Sequence, residues 1–263
     1  LSAASIGALI KYPWTSQGPR GRSKFNIYQT ELPFIRRVAA ELGLLEAGCD
    51  QWVRHPLSYL MEASDDICYA LLDLEDAVEL ELLTDTEVES VLSELTFEES
   101  TWHAQSSRQR CAMLRGIAIG KAIEDAAQTF MKHQSDLLSG EFKGKDLISL
   151  CSPQVQNTLE KAKELARTRI FRHRTKLMTE IATFPCLGSI LDLFVPAAHA
   201  LLVERKLDVR QSLILDLLKN HNPILETDSL YQAYMKILDF VGGMTDNAAA
   251  KMAQDLSGTG ILR

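Results

Sequence analysis

The chain has 263 residues, 46% of them hydrophobic and 24% charged, which supports a substantial core and excludes a disordered tail or a low-complexity scaffold. Fourteen Gly and eight Pro are few for this length. Ala, Leu, Glu, Lys and Gln dominate instead, a helix-former's composition that sets aside all-β and collagen-like folds. The formal net charge of −7 provides no global positive field for nucleic acid or an anionic membrane, so any phosphate must be bound locally.

The opening residues, Leu1 to Lys11, have no initiator Met and no basic leader and read as the middle of a helix, so an N-terminal truncation is expected. Pro13 stops that helix and disfavours helical geometry at Tyr12. Thr15 to Lys24 is a polar Gly/Pro/Arg loop in which Arg20, Arg22 and Lys24 join Lys11 in a local group of cations. Thr30 is expected to cap a helix that carries Leu32, Ile35, Val38, Ala39 and Leu42 on one face and stops at Gly43.

From Pro56 to about Leu80 there is no Gly and no further Pro, and apolar residues recur at helical spacing through Leu57, Leu60, Ile67, Leu71 and Leu74. Thr84 and Glu87 form a capping box for a short acidic helix. Later helices are expected from about Arg108 to Leu138 and from Ser152-Pro153 to about Phe171. Others follow at about 173–182, 186–203, 208–220 and 228–254, the last interrupted at Gly242-Gly243. The sequence contains no convincing strand-period run, internal repeat or linker, so one all-α domain over residues 1–263 is expected.

The apolar stretch from Ala182 to Val203 holds Pro185, Asp192, Pro196 and His199 and is not read as a membrane span. Five Cys, at 49, 68, 111, 151 and 186, are scattered without a C-x-x-C pair, which fits cytoplasmic use of Cys as a small hydrophobe. His173, between Arg172 and Arg174, reads as part of a solvated basic turn.

The chemistry concentrates in Arg54 to Val78, RHPLSYLMEASDDICYALLDLEDAV. Asp65, Tyr69 and Asp73 fall at i, i+4 and i+8, one helix face with steps of about 6 Å. Asp66 and Asp76 flank it. Such a stripe suits a metal, a sugar hydroxyl or basic partners; a solvated acidic face with Tyr69 packing sideways is the plainer alternative.

This run resembles the signature of the HD-domain deoxynucleoside triphosphate triphosphohydrolases, the bacterial dGTPase-like family. Three further blocks resemble it in order: Lys11-Tyr-Pro-Trp14, Lys24-Phe-Asn-Ile-Tyr-Gln-Thr-Glu31 and Asp239-Phe-Val-Gly-Gly-Met-Thr-Asp246. The resemblance implies the C-terminal part of an HD-type helical bundle. It assigns Asp65 as the last ligand of a metal site for Mg2+ or Mn2+. Tyr69 would pack on the deoxyribose, Asp73 would bond its 3′-hydroxyl, and Lys11, Tyr12 and Lys24 would hold the triphosphate. Phe184 and Asp192 fall where the family places base-facing residues, although by themselves they read as a core Phe and an exposed Asp.

The implied reaction is metal-dependent hydrolysis of a dNTP, dGTP favoured, to deoxynucleoside and tripolyphosphate, in the cytoplasm. A homo-oligomer, with a nucleotide or single-stranded DNA as a further effector, is implied as well. The sequence departs from the pattern in three places. It has no His-Asp dipeptide, Asn26 stands where Gly is usual, and Asn247-Ala-Ala-Ala follows Asp246. No catalytic residue is therefore assigned within this chain, which is expected to be inactive alone. The alternative is a non-catalytic helical module that binds nucleotide or a partner.

Overall fold

The computed structural model describes residues 1–18, 24–96 and 106–260. The all-α expectation holds: eleven α-helices, one 3-10 turn, two π-helical turns and one two-stranded hairpin make up the regular structure of these residues. They form two compact units, Leu1–His173 and Arg174–Arg263.

In the first unit, α1 (Ala3–Leu9) starts at Ser2, whose side chain accepts the Ser5 N–H. After it comes α2 (Leu32–Glu41), which starts at Glu31 rather than at Thr30. Thr30 lies in the preceding turn, and the Glu31 carboxylate accepts the Tyr28 N–H at 3.1 Å, closing that turn instead of capping the helix. Gly43 ends the segment with φ +62°, left-handed geometry that glycine adopts without penalty. A short antiparallel hairpin, β1 (Glu46–Gly48) and β2 (Gln51–Trp52), leads into α3 (Pro56–Glu79).

The helix α3 is the spine of this unit. Its Ile67, Ala70, Leu71, Leu74 and Ala77 are buried in one apolar cluster with Leu114, Ala118 and Ala122 of α5 (Ser107–Lys132) and Leu159 and Ala162 of α7 (Pro153–Leu165). The Thr84–Glu87 capping box opens α4 (Asp85–Leu92) as expected. The helix expected over 108–138 is instead two, because His133 leaves helical geometry at φ −102°, ψ 13° and α6 (Gln134–Ser139) starts anew. Gly140, at φ +75°, ends α6. A π-helical turn, Ala166–Ile170, extends α7 as far as Phe171.

In the second unit, α8 (Arg174–His199) is one helix where two were expected, with Pro185 and Pro196 inside it. Each proline removes a backbone donor and crowds the carbonyl four residues before it, a cost set against the burial of Ile190, Phe194, Ala197 and Ala198. A second π-helical turn, Ala200–Glu204, follows. The helices α9 (Val209–Asp216), α10 (Leu230–Gly242) and α11 (Asp246–Leu256) all pack on α8. The helical stretch Arg174–Glu204 is long and apolar enough to cross a membrane by length and composition, and 28% of its most apolar window is buried.

A polar clamp secures α10. Lys236 Nζ donates to Asp228 Oδ2 at 2.7 Å and to the Pro223 carbonyl at 2.8 Å, while the same Asp228 oxygen accepts the Leu225 N–H. Burial pushes the Asp228 carboxyl upward, but the bonds from Lys236 and Leu225 outweigh it and hold the group below its ordinary value of 3.8. Asp228→Asn is expected to destabilise the protein by about 1–3 kcal/mol at neutral pH. A depressed folded-state pKa gives stability that is present above the ordinary value and fades as the pH falls below it. The melting-temperature gap between wild type and variant should therefore narrow steadily as the pH is lowered below 3.8, and a gap that stays constant on acidification would count against the ionised clamp.

Candidate functional site

The segment after α1 is strapped down on both sides. Trp14 pairs with Gln51 and Thr15 with Ile27 as isolated β-bridges, and the Trp14 indole N–H donates to the Lys24 carbonyl at 2.7 Å. Asn26 closes a reciprocal pair with Tyr12, its Oδ1 accepting the Tyr12 N–H at 2.7 Å and its own N–H donating to the Tyr12 carbonyl at 3.1 Å. The residue that departs from the family pattern thus makes a side-chain bond that glycine cannot make. Gly7 allows α1 its close approach: a Cβ there would lie 2.7 Å from the Leu42 side chain and 3.1 Å from the His55 ring.

These straps bring Lys11, Tyr12 and Lys24 together. Lys11 Nζ lies 5.5 Å and Lys24 Nζ 5.7 Å from the centre of the Tyr12 ring, within cation–π range. Lys11 also reaches α3, where its ammonium pairs with Glu62 Oε1 at 2.5 Å. Partial burial works against the charged form of Lys11, but the hydrogen bond and charge of Glu62 outweigh it and raise the pKa. Arg20 and Arg22, the other cations of the expected group, lie outside the described residues.

On α3, His55 serves as the N-cap and its Nδ1 accepts the Leu57 N–H at 3.2 Å, with Pro56 in the first turn. Burial lowers the His55 pKa, which favours the neutral ring that this acceptor requires. Beyond it, Asp65 is exposed, Tyr69 is 55% exposed and Asp73 is half-buried. The Tyr69 ring sits beside Phe171, centroids 6.3 Å apart and tilted by 38°. Asp66 is not a spare carboxylate, because Lys163 of α7 donates to it at 3.0 Å. Sequence reasoning missed Glu62, Arg54, Lys163 and Phe171; each is brought in by packing between elements.

Phe184 and Asp192 lie on α8 in the second unit. Phe184 is 80% exposed, which overturns its reading as a core residue, and Asp192 is exposed as that reading had it. Among the described residues no three His, Cys, Asp or Glu side chains gather where they could hold a metal ion. The donors around Asp65 therefore do not by themselves fit such an ion, which needs several oxygen or nitrogen ligands at once. Among the cysteines, burial and the neighbouring Asp85 and Glu89 push the Cys111 thiol up to about 11, which leaves it inert as a nucleophile.

Over 98% of its length this chain is a homologue of the deoxyguanosinetriphosphate triphosphohydrolase-like proteins. It is 37% identical over 268 aligned residues to the protein of that name from Pseudomonas aeruginosa strain LESB58, and 29% identical over 271 to the one from Synechocystis sp.. It covers 60% of the length of each of these two. It is also 29% identical, over 74% of its length and 43% of the other's, to the deoxyguanosinetriphosphate triphosphohydrolase of Serratia proteamaculans. No family model matches the chain.

Proposed function

We propose that the full-length protein is a hydrolase of deoxynucleoside triphosphates, dGTP favoured, releasing deoxynucleoside and tripolyphosphate. The observation that carries this reading is the gathering of Lys11, Tyr12 and Lys24, with Lys11 reaching through Glu62 to the helix that bears Asp65, Tyr69 and Asp73. The names of the homologues support it. Lys11 and Lys24 supply local positive charge to an otherwise acidic chain, as a polyanion requires. Tyr69 presents an exposed ring face for the sugar, and Asp73 presents a carboxylate for a sugar hydroxyl.

Mg2+ or Mn2+ belongs to the same proposal, with Asp65 as one ligand and further ligands from outside the described residues of this chain. The metal would supply Lewis acidity at the phosphate when bound. Assembly into a homo-oligomer, an effector nucleotide or single-stranded DNA, and a cytoplasmic setting complete the proposal. A second reading, binding of nucleotide without hydrolysis, is favoured for this chain alone because, among the described residues, no three His, Cys, Asp or Glu side chains gather to hold a metal ion with Asp65.

The test is release of tripolyphosphate from dGTP by the full-length protein, its loss in Asp65→Ala, and a titration of Mn2+ into the 263-residue chain. Turnover that Asp65→Ala abolishes is expected, together with weak metal binding by the chain alone. Turnover indifferent to Asp65, or tight stoichiometric Mn2+ binding by the chain, would sink the assignment of ligands.

A further inference from the structure

One buried acid is not explained by the proposed substrate contacts. Glu62 lies on α3 less than one turn before Asp65, and its side chain is only 10% exposed. A lone carboxylate at that depth is costly unless it is paired. Glu62 has two cationic partners: Lys11 at 2.5 Å through Oε1 and Arg54 Nη1 at 2.8 Å from Oε2.

The two cations are not equivalent. Arg54 is committed internally: its Nε donates to Ser58 Oγ and its Nη2 to the Ser58 carbonyl, both at 3.1 Å, and its guanidinium lies 3.9 Å from the centre of the Tyr59 ring. Its side chain is 12% exposed, whereas that of Lys11 is 36% exposed. The trio of two cations and one carboxylate therefore carries one net positive charge, and Lys11 is its accessible member. An ammonium has three N–H donors, and the bond to Glu62 takes one.

We infer that Glu62 is a positioning residue for the triphosphate, anchoring the Lys11 ammonium against α3 with Arg54 as its counter-cation so that the remaining Lys11 donors face an incoming phosphate from a fixed place. The inference rests on the proposed triphosphate role of Lys11. Without the anchor, Lys11 is a flexible four-carbon stem whose ordering must be supplied by each binding event.

The experiment is steady-state dGTP hydrolysis by the full-length protein carrying Glu62→Gln, Lys11→Ala and both. Glu62→Gln keeps the shape and removes the charge. Its KM is expected to rise about tenfold, the equivalent of one weakened charge-assisted hydrogen bond, with kcat nearly unchanged. The double variant should be no worse than Lys11→Ala, because the two residues act as a unit. A lower KM in Glu62→Gln would mean that Glu62 only neutralises Lys11, and an unchanged KM with a lower melting temperature would mean a purely structural role; either overturns the inference. If Lys11→Ala itself leaves KM unchanged, the site reading fails first, and the inference with it. Should Glu62→Gln not fold, Glu62→Asp keeps the charge and withdraws it by one methylene: a raised KM supports the anchor and an unchanged KM overturns it.

Discussion

Replacing Leu74 with alanine is expected to cost about 2–5 kcal/mol, a large share of the stability of an ordinary domain. Leu74 is fully buried on α3, in the cluster shared with α5 and α7. Removing its side chain leaves a void that these three helices cannot close without moving the face that carries Asp73, the residue before it. Leu72, two positions earlier and 41% exposed, provides the contrast: Leu72→Ala should fall within about 0.5 kcal/mol of wild type, as surface substitutions do. Urea unfolding checks both, with the midpoint of Leu74→Ala shifted at unchanged slope. Equal losses in the two variants would show that the core has been misplaced.

The second large effect concerns the sugar. In the full-length protein, Asp73→Asn is expected to lower kcat/KM for dGTP about 10- to 100-fold, the equivalent of one charge-assisted hydrogen bond to a hydroxyl. Tyr69→Ala acts differently. An aromatic ring against the sugar excludes a 2′-hydroxyl by bulk, a repulsive element of specificity, so its removal should bring the kcat/KM values for dGTP and GTP closer together. Tyr69 is 55% exposed. Comparison of the dGTP/GTP ratio in wild type and Tyr69→Ala checks it, and an unchanged ratio would refute the steric role.

The parts of this molecule legible in its sequence are those decided by near neighbours. Pro56 and the unbroken apolar periodicity that follows mark α3, observed over Pro56–Glu79, and Thr84 with Glu87 marks the start of α4. The face shared by Asp65, Tyr69 and Asp73 is pure helical geometry. What escaped is decided by contacts between distant segments: Lys163 meets Asp66 from 97 residues away, and nothing in either segment's pattern announces the other. The local rules also yield where packing outweighs them. Pro185 reads as a break, yet the helix runs through it because its C-terminal half is buried under α9, α10 and α11. Phe184, one residue before, reads as core by its type; at 80% exposure it shows that an apolar residue does not reveal which turns of a helix are covered.

The π-helical turn at Ala166–Ile170 fixes where Phe171 points. Such a turn accommodates one residue more than the α-helical ladder needs, so it can lose a residue and close up into ordinary helix. The residues on either side would keep their register, because the wide turn absorbs the surplus residue locally. Phe171, beside Tyr69, and Lys163, opposite Asp66, would both stay in place. A single codon lost in this stretch would therefore spare both contacts with α3, so the length of this segment can vary over evolutionary time without cost to either.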